Sequence, residues 1–178
     1  DEPTLTATGS DPAFTENGAA VGLFSSAAAS TVESGQTITD LVFTVTNVAG
    51  TGSTELIGID GSSIALTNGA AGTTTTNSLT YGVSLSTGTA TFTLSGMTLE
   101  TADLQTLVDN LTYDNTSEDP GSSSRVVTIT SVTDSGSNTD SNDNVAALSI
   151  ASTVTMTEVN DEPTLTATGS DPAFTENG

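Results

Sequence analysis

The sequence predicts an all-β protein, an antiparallel β-sandwich with one short helix. Serine and threonine alternate with apolar residues, as in the run from Leu41 to Thr46, and this alternation is typical of strands with one buried face. Turn-forming pairs such as Asn17-Gly18 and Pro120-Gly121 separate these runs. Hydrophobic residues make up 34% of the 178 residues, which is enough for a substantial core.

Each predicted strand combines this alternation with a turn signal on its flanks. The strands are expected near residues 4–8, 12–15, 20–24, 37–47, 54–59, 62–67, 78–85, 89–95, 111–115, 124–133 and 145–158. Many short strands joined by short turns favour one enlarged antiparallel sandwich over two small ones.

One segment, from Thr101 to Leu111, has helical spacing instead. Its apolar residues recur three and four positions apart, at 104, 107, 108 and 111. Thr101 is the expected N-cap, because a threonine hydroxyl can accept a hydrogen bond from the first turn. We expect this helix to close one end of the sandwich and to serve packing alone.

The first 18 residues, Asp1–Gly18, recur letter for letter at Asp161–Gly178, with a period of 160 residues. The repetition predicts that residues 1–160 form one repeat, with a linker strand at 1–11 and a sandwich core at about 12–158. Residues 159–163 would then be the linker to a next, identical repeat that begins at 161–178. An artificially introduced duplication is the competing explanation.

The charge balance restricts the possible partners. The chain has 22 acidic residues and one basic residue, a net charge of −21, and residues 1–160 hold 18 acids against one arginine, a formal charge of −17. Nothing can neutralise phosphate, so nucleic acid and insertion into a membrane are not expected, and divalent cations are the natural partner. A single unit of such charge is expected to be monomeric.

Histidine and cysteine are both absent. Zinc sites, thiol chemistry and Ser-His or Cys-His nucleophiles are therefore excluded, and we do not expect an enzyme. Disulfides are excluded too, so an extracellular unit would depend on packing or on metal for added stability.

An acid-rich loop at residues 134–144 contains three aspartates and three asparagines. It does not match an EF-hand, because Thr139 stands where that loop needs glycine and no glutamate closes it. Asp140 and Asp143 are candidate calcium ligands in this loop. A solvated hairpin tip is the alternative.

Four stretches carry a resemblance to a known family: Val159–Pro163, Pro12–Asn17, Thr101–Pro120 and Arg125–Gly136. Together they make the chain resemble the cadherin-like repeats that build the long extender regions of giant bacterial adhesins, similar to the RTX adhesins. The resemblance covers roughly half of the chain. It implies an Ig/cadherin-like sandwich, calcium at the junctions between repeats, and neighbouring identical repeats as the partners.

The same resemblance implies two sets of calcium ligands. At one end of the unit they are Glu16, Glu118, Asp119, Asn160 and Asp161.

At the opposite end, the resemblance implies that Asp134 faces Asp1. The linker departs from that of animal cadherins, because it lacks their fuller acidic run.

Arg125 is the only cation among the side chains. We expect it to form a structural ion pair, with Glu118 as the candidate partner.

The resulting functional hypothesis is a structural spacer. Calcium at the junctions would stiffen a surface adhesin and project a distal binding domain for cell adhesion or biofilm formation. The resemblance implies an extracellular location on a Gram-negative bacterium and export by type I secretion.

Two other functions are alternatives to the spacer. The first is a module that binds carbohydrate or ice, suggested by threonine-rich runs such as Thr73–Thr76, although these recur irregularly. The second is a glycosidase, which is disfavoured because the chain has no tryptophan and only two tyrosines to form a sugar platform.

Overall fold

The computed structural model describes residues 1–139 and 143–176. Within them the chain forms one helix, α1 (Thr101–Asp109), and thirteen strands. The strands are β1 (Thr4–Gly9), β2 (Ala13–Thr15), β3 (Val21–Gly22), β4 (Phe24–Ser30), β5 (Ile38–Val45), β6 (Glu55–Ile59), β7 (Ser62–Ala65), β8 (Ala71–Thr73), β9 (Thr80–Ser86), β10 (Thr89–Ser95), β11 (Thr112–Asn115), β12 (Arg125–Asp134) and β13 (Val145–Thr157). The all-β class with one short helix is confirmed.

The strands form three sheets. A seven-stranded sheet has the order β2-β13-β12-β5-β10-β9-β8, a four-stranded sheet has the order β3-β11-β6-β7, and β1 pairs with β4 alone. The pairings are antiparallel except for one, because β2 runs parallel to the end of β13. The expectation of an antiparallel sandwich is corrected at this pair, because β2 runs in the same direction as the end of β13.

The core lies between the sheets, as an all-β sandwich requires. Phe43 and Phe92 stack at a centroid distance of 4.8 Å within the larger sheet. Phe14 of β2 meets Tyr113 of β11 edge to face at 5.7 Å, so aromatic packing joins the larger sheet to the four-stranded one. All four rings are fully buried.

Two strands were missed by the sequence prediction, β8 and most of β4. The alanine and serine run of β4 has little intrinsic strand preference, so its conformation depends on its neighbours. Strand β1 forms backbone hydrogen bonds with β4. In addition, Asp109 of α1 accepts a hydrogen bond from the backbone nitrogen of Ala27 at 2.9 Å.

Helix α1 has the buried face that the sequence predicts, with Leu104, Leu107 and Val108 directed inward. Its N-cap is Glu100 rather than Thr101, and no side chain caps it. The helix also ends at Asp109, two residues earlier than predicted. At nine residues it is too short to cross a bilayer, and no other helix occurs in the described part of the chain.

Candidate metal centre

Three carboxylates meet at the end of the fold where β2 and β13 finish. Glu16 directly follows β2, Glu118 lies in the loop after β11, and Asp161 lies four residues beyond β13. One carboxylate oxygen of each lies within 4.8 Å of the others. The sequence analysis predicted all three as ligands of one site, and the fold brings them together from positions up to 145 residues apart.

Glu16 is the buried member of this acidic cluster, with only 4% of its surface exposed. Its backbone nitrogen donates to the carbonyl of Thr157 at 2.9 Å, which continues the pairing of β2 with β13. Its Oε2 atom accepts a hydrogen bond from the backbone nitrogen of Val159 at 2.8 Å. These two bonds fix the carboxylate at the start of the linker.

The second oxygen of this side chain, Oε1, is buried and has no hydrogen-bond partner among the described residues. A buried carboxylate oxygen without a donor is costly, and two more carboxylates beside it increase the repulsion. A hard cation would satisfy this oxygen and offset the repulsion. Glu16, Glu118 and Asp161 are therefore a group that could hold a metal ion.

Glu118 is exposed, and a residue in the turn after β2 donates a hydrogen bond to it. The side-chain amide of Asn17 donates to its Oε2 atom at 3.3 Å. Asn17 has a left-handed φ of 58°, as expected in the tight turn where Gly18 donates to Thr15. The turn after β2 thus supplies a ligand candidate and also positions a second one.

Asp119 and Asn160 are the other residues predicted at this end. Asp119 is exposed, and its backbone forms a small turn with Ser117, whose hydroxyl accepts from the Asp119 nitrogen at 3.1 Å. The Asp119 carboxylate is not part of the acidic cluster. The side-chain amide of Asn160 donates to the carbonyl of Asp161 at 3.0 Å, so Asn160 lies beside the cluster.

Arg125 does not pair with Glu118, and this prediction was wrong. Its guanidinium binds Glu55 with two hydrogen bonds, from Nε to Oε2 at 3.1 Å and from Nη2 to Oε1 at 2.9 Å. Both side chains are buried, with exposures of 1% and 0%. Glu55 begins β6 of the four-stranded sheet, whereas Arg125 begins β12 of the seven-stranded one, so sequence spacing could not predict their contact.

The same guanidinium fixes the loop that carries Glu118. It donates to the carbonyls of Pro120, at 2.7 Å, and of Ser123. Burial lowers the pKa of Arg125, but the hydrogen bonds and charge of Glu55 outweigh this effect and raise the pKa overall. Arg125 therefore stays charged, and the base of the loop is tied to the core.

Tyr113 completes this buried network. Its hydroxyl donates to Glu55 at 2.9 Å and accepts from the side chain of Asn115 at 3.3 Å. Burial raises the pKa of Tyr113, and the negative charge of Glu55 raises it further. Sequence reasoning missed Glu55, although strand alternation places it on the same face as the buried Ile57 and Ile59.

The opposite end of the unit collects a second group of polar residues. Asp1 and Asp143 line a small cavity of about 190 Å³ together with Glu33, Gln36 and the backbone turn at 136–137. The sequence predicted the two aspartates but missed Glu33 and Gln36, which lie in an irregular turn without periodicity. Asp140, another predicted ligand, lies outside the described residues.

Asp134 is buried directly after β12, with 1% of its surface exposed. Its Oδ1 atom accepts from the backbone nitrogen of Gly136 at 2.8 Å. With the Gln36 amide nitrogen directed inward, this nitrogen donates to Asp134 Oδ2 at 3.0 Å and to Glu33 Oε2 at 3.2 Å. The Asp134 carboxylate is thus already hydrogen-bonded within the unit.

A separate groove of about 440 Å³ lies between α1 and the β6–β7 hairpin. Hydroxyl, amide and carboxylate side chains line it over a floor that includes Leu107 and Ile59. Asp60 is fixed there by hydrogen bonds from the backbone and side chain of Asn77, at 2.8 and 2.6 Å. Among the residues that the structure describes, no aromatic ring and no cation lines this groove.

No protein-family model, curated protein or solved structure matches this chain.

Proposed function

We propose that this chain is a calcium-stiffened spacer module, a repeat that holds a distal binding domain of a surface adhesin away from the cell. The observation that carries the proposal is the buried, unpartnered Oε1 atom of Glu16. The Glu16 carboxylate lies beside those of Glu118 and Asp161, and Asp161 is the first residue of the second copy of the repeated sequence. A cation bound there would join the folded unit to its linker.

The chemistry favours calcium over other cations. Calcium takes six to eight oxygen ligands with flexible geometry, and carboxylates, carbonyls and water supply them. The chain has neither histidine nor cysteine, so the imidazole and thiolate ligands that zinc prefers are absent. Glu16, Glu118 and Asp161 would form the central ligands, and Asp119 and Asn160 are further candidates from the same loop and linker.

The opposite end of the unit would complete each junction. Asp161 has the same place in its 18-residue sequence as Asp1, which lies beside Glu33 and Asp143. In a tandem array, Asp161 of one unit would therefore be the Asp1 of the next unit. Asp1, Asp134, Asp140 and Asp143 are the candidate ligands on that side.

An Ig/cadherin-like sandwich is the finer fold assignment that we propose. The seven-stranded and four-stranded sheets, and the parallel addition of β2 to β13, support it. The proposed setting is an extracellular one, on the surface of a Gram-negative bacterium after type I secretion. Identical neighbouring repeats are the proposed partners, and no catalytic role is proposed.

Small-angle X-ray scattering of two fused units tests the spacer function. We expect calcium to raise the maximum dimension and to reduce flexibility, because the ion would fix the angle of the linker. Magnesium should act weakly, since it prefers a small octahedral shell and keeps its waters. The matched control is the fused array with Glu16→Gln in both units. Identical scattering in calcium and in chelator would contradict the proposal.

A carbohydrate-binding module is the second candidate, and the groove between α1 and the β6–β7 hairpin favours it. Its hydroxyl, amide and carboxylate groups suit a neutral sugar, while the lack of lining cations disfavours anionic glycans. Glycan-array binding that is lost in Asn77→Ala would support this candidate. A calcium-dependent change in array shape without glycan binding would support the spacer.

A further inference from the structure

Tyr113 lies between the two segments that carry the glutamates of the acidic cluster. Its ring meets Phe14 edge to face at 5.7 Å. Phe14 is two residues before Glu16, and both side chains lie on the buried face of their segment. Tyr113 is also in β11, five residues before Glu118. This one core residue is therefore placed to act on both glutamates.

The loop that carries Glu118, residues 116–124, is held at both ends by buried side chains. At its start, Asn115 Oδ1 accepts a hydrogen bond from the backbone nitrogen of Ser117 at 2.9 Å. At its end, Arg125 donates to two backbone carbonyls of the loop. Asn115 and Arg125 are only 3% and 1% exposed. Glu118 is exposed, but the backbone on either side of it is tied to the core.

The Tyr113 hydroxyl connects these two ends and sets the direction of the hydrogen bonds. It donates to Glu55, which is ion-paired with Arg125, and it accepts from the Asn115 amide nitrogen. A carboxylate only accepts, so the single proton of the hydroxyl goes to Glu55 and the Asn115 nitrogen must face Tyr113. The amide oxygen of Asn115 is thereby directed towards Ser117.

Loss of the hydroxyl would release this arrangement. The Asn115 nitrogen would lose its acceptor in a buried position, which is costly, so the amide would turn. The hydrogen bond from Ser117 to the amide oxygen would then weaken. Glu118 is the next residue along the chain, and its backbone would be less well fixed.

We propose that Tyr113 and Asn115 are positioning residues of the cation site, and that together they hold Glu118 in the acidic cluster. This inference rests on the proposed calcium function. Groups that orient metal ligands commonly change metal affinity by about tenfold or more. A loop that is already ordered also loses less conformational freedom when the ion binds, which favours binding.

Calorimetric calcium titration of three variants tests the proposal. Tyr113→Phe removes only the hydroxyl and should raise the Kd severalfold. Asn115→Ala removes the group that contacts Ser117 and should raise the Kd about tenfold. The double variant should bind no more weakly than Asn115→Ala, because the hydroxyl acts through Asn115. Fully additive losses would overturn this relay.

Hydrogen exchange of the calcium-free protein, in chelator, gives a readout that does not involve the ion. The Ser117 amide should exchange faster in Tyr113→Phe than in Tyr81→Phe, which removes the other tyrosine hydroxyl of the chain, in β9. If Tyr113→Phe does not fold, Asn115→Ala decides, since it leaves the bond from Tyr113 to Glu55 in place. Equal exchange of Ser117 in the variant and its control would contradict the proposal.

Val83→Ala is the matched control for a general loss of stability. It removes two buried methyl groups from β9 and should lower the melting temperature without changing the Kd. A loss of affinity in Val83→Ala as large as that in Tyr113→Phe would overturn the positioning role. No calcium binding by the unsubstituted protein would overturn the proposed function and this inference together. Binding that Tyr113→Phe and Asn115→Ala leave unchanged would overturn the inference alone.

Discussion

The carboxylate of Glu16 accepts a hydrogen bond at 2.8 Å from the backbone nitrogen of Val159, 143 residues further along the chain. This bond joins the end of β2 to the linker and leaves the other oxygen of Glu16 buried without a donor. The linker therefore begins at a fixed point on the unit. Glu118 and Asp161 each place a carboxylate oxygen within 4.8 Å of Glu16 at that point.

Substituting Glu16 with glutamine separates the charge from the hydrogen bond. The glutamine carbonyl can still accept from Val159, so we expect the calcium-free variant to be at least as stable as the unsubstituted protein. The calcium-induced rise in melting temperature should disappear. At a calcium concentration one hundred times the Kd, that rise should be about 5–10 °C for a domain of this size.

Thermal melts by circular dichroism, with calcium and with chelator, measure the loss. Glu100→Gln removes one exposed charge outside the cluster and should retain the full shift. An equal loss in both variants would assign the calcium effect to general charge screening.

Glu118 and Asp119 are adjacent, but only the first belongs to the acidic cluster. We expect Glu118→Gln to weaken calcium binding at least tenfold and Asp119→Asn to weaken it much less. Both residues are exposed on a loop, so neither change should unfold the sandwich. Calorimetric calcium titration measures both affinities. The reverse order of effects would make Asp119 the principal ligand.

The buried pair of Arg125 and Glu55 should dominate the stability of this end of the fold. Arg125→Met leaves the Glu55 charge buried without its partner and should cost about 3–5 kcal/mol of unfolding free energy. The double variant Arg125→Met/Glu55→Gln should recover part of that loss, because no uncompensated charge remains. Urea denaturation gives both values. Strictly additive costs would show that the two groups are not coupled.

Stability should fall at alkaline pH because of Tyr113. Tyrosine in an unfolded chain ionises near pH 10, whereas burial and the charge of Glu55 raise the pKa in the folded protein. Between these two pKa values the folded state holds the extra proton. The contribution is therefore complete below about pH 10 and is lost as the pH rises towards the folded pKa.

Urea denaturation from pH 8 to pH 11.5 checks this, and the decline should be shallower in Tyr113→Phe. The chain has two tyrosines, so Tyr81→Phe leaves Tyr113 as the sole phenol. In that variant, phenolate absorbance should rise only together with unfolding. Ionisation near pH 10 in the folded state would contradict the assignment.

The sequence alone determined the β class, the position of most strands and the inward face of α1. These features depend on alternation or helical spacing over a few residues, and such patterns can be recognised in the sequence itself. The sequence also identified Glu16, Glu118 and Asp161 as ligand candidates, through the resemblance to adhesin repeats. Strand β4 could not be predicted from the sequence, because its alanines and serines have little strand preference of their own and form a strand only beside β1 and α1.

Tertiary structure alone decided the partner of Arg125, because Glu55 is 70 residues away and meets it only where the four-stranded sheet packs on the seven-stranded one. It also decided that Oε1 of Glu16 is buried without a donor among the described residues. The repeated 18 residues show the difference between what sequence determines and what tertiary structure decides. The same sequence is strand and core at 1–18 but exposed and irregular at 161–176, because a strand forms only where β4 and β13 supply its hydrogen bonds and its apolar contacts.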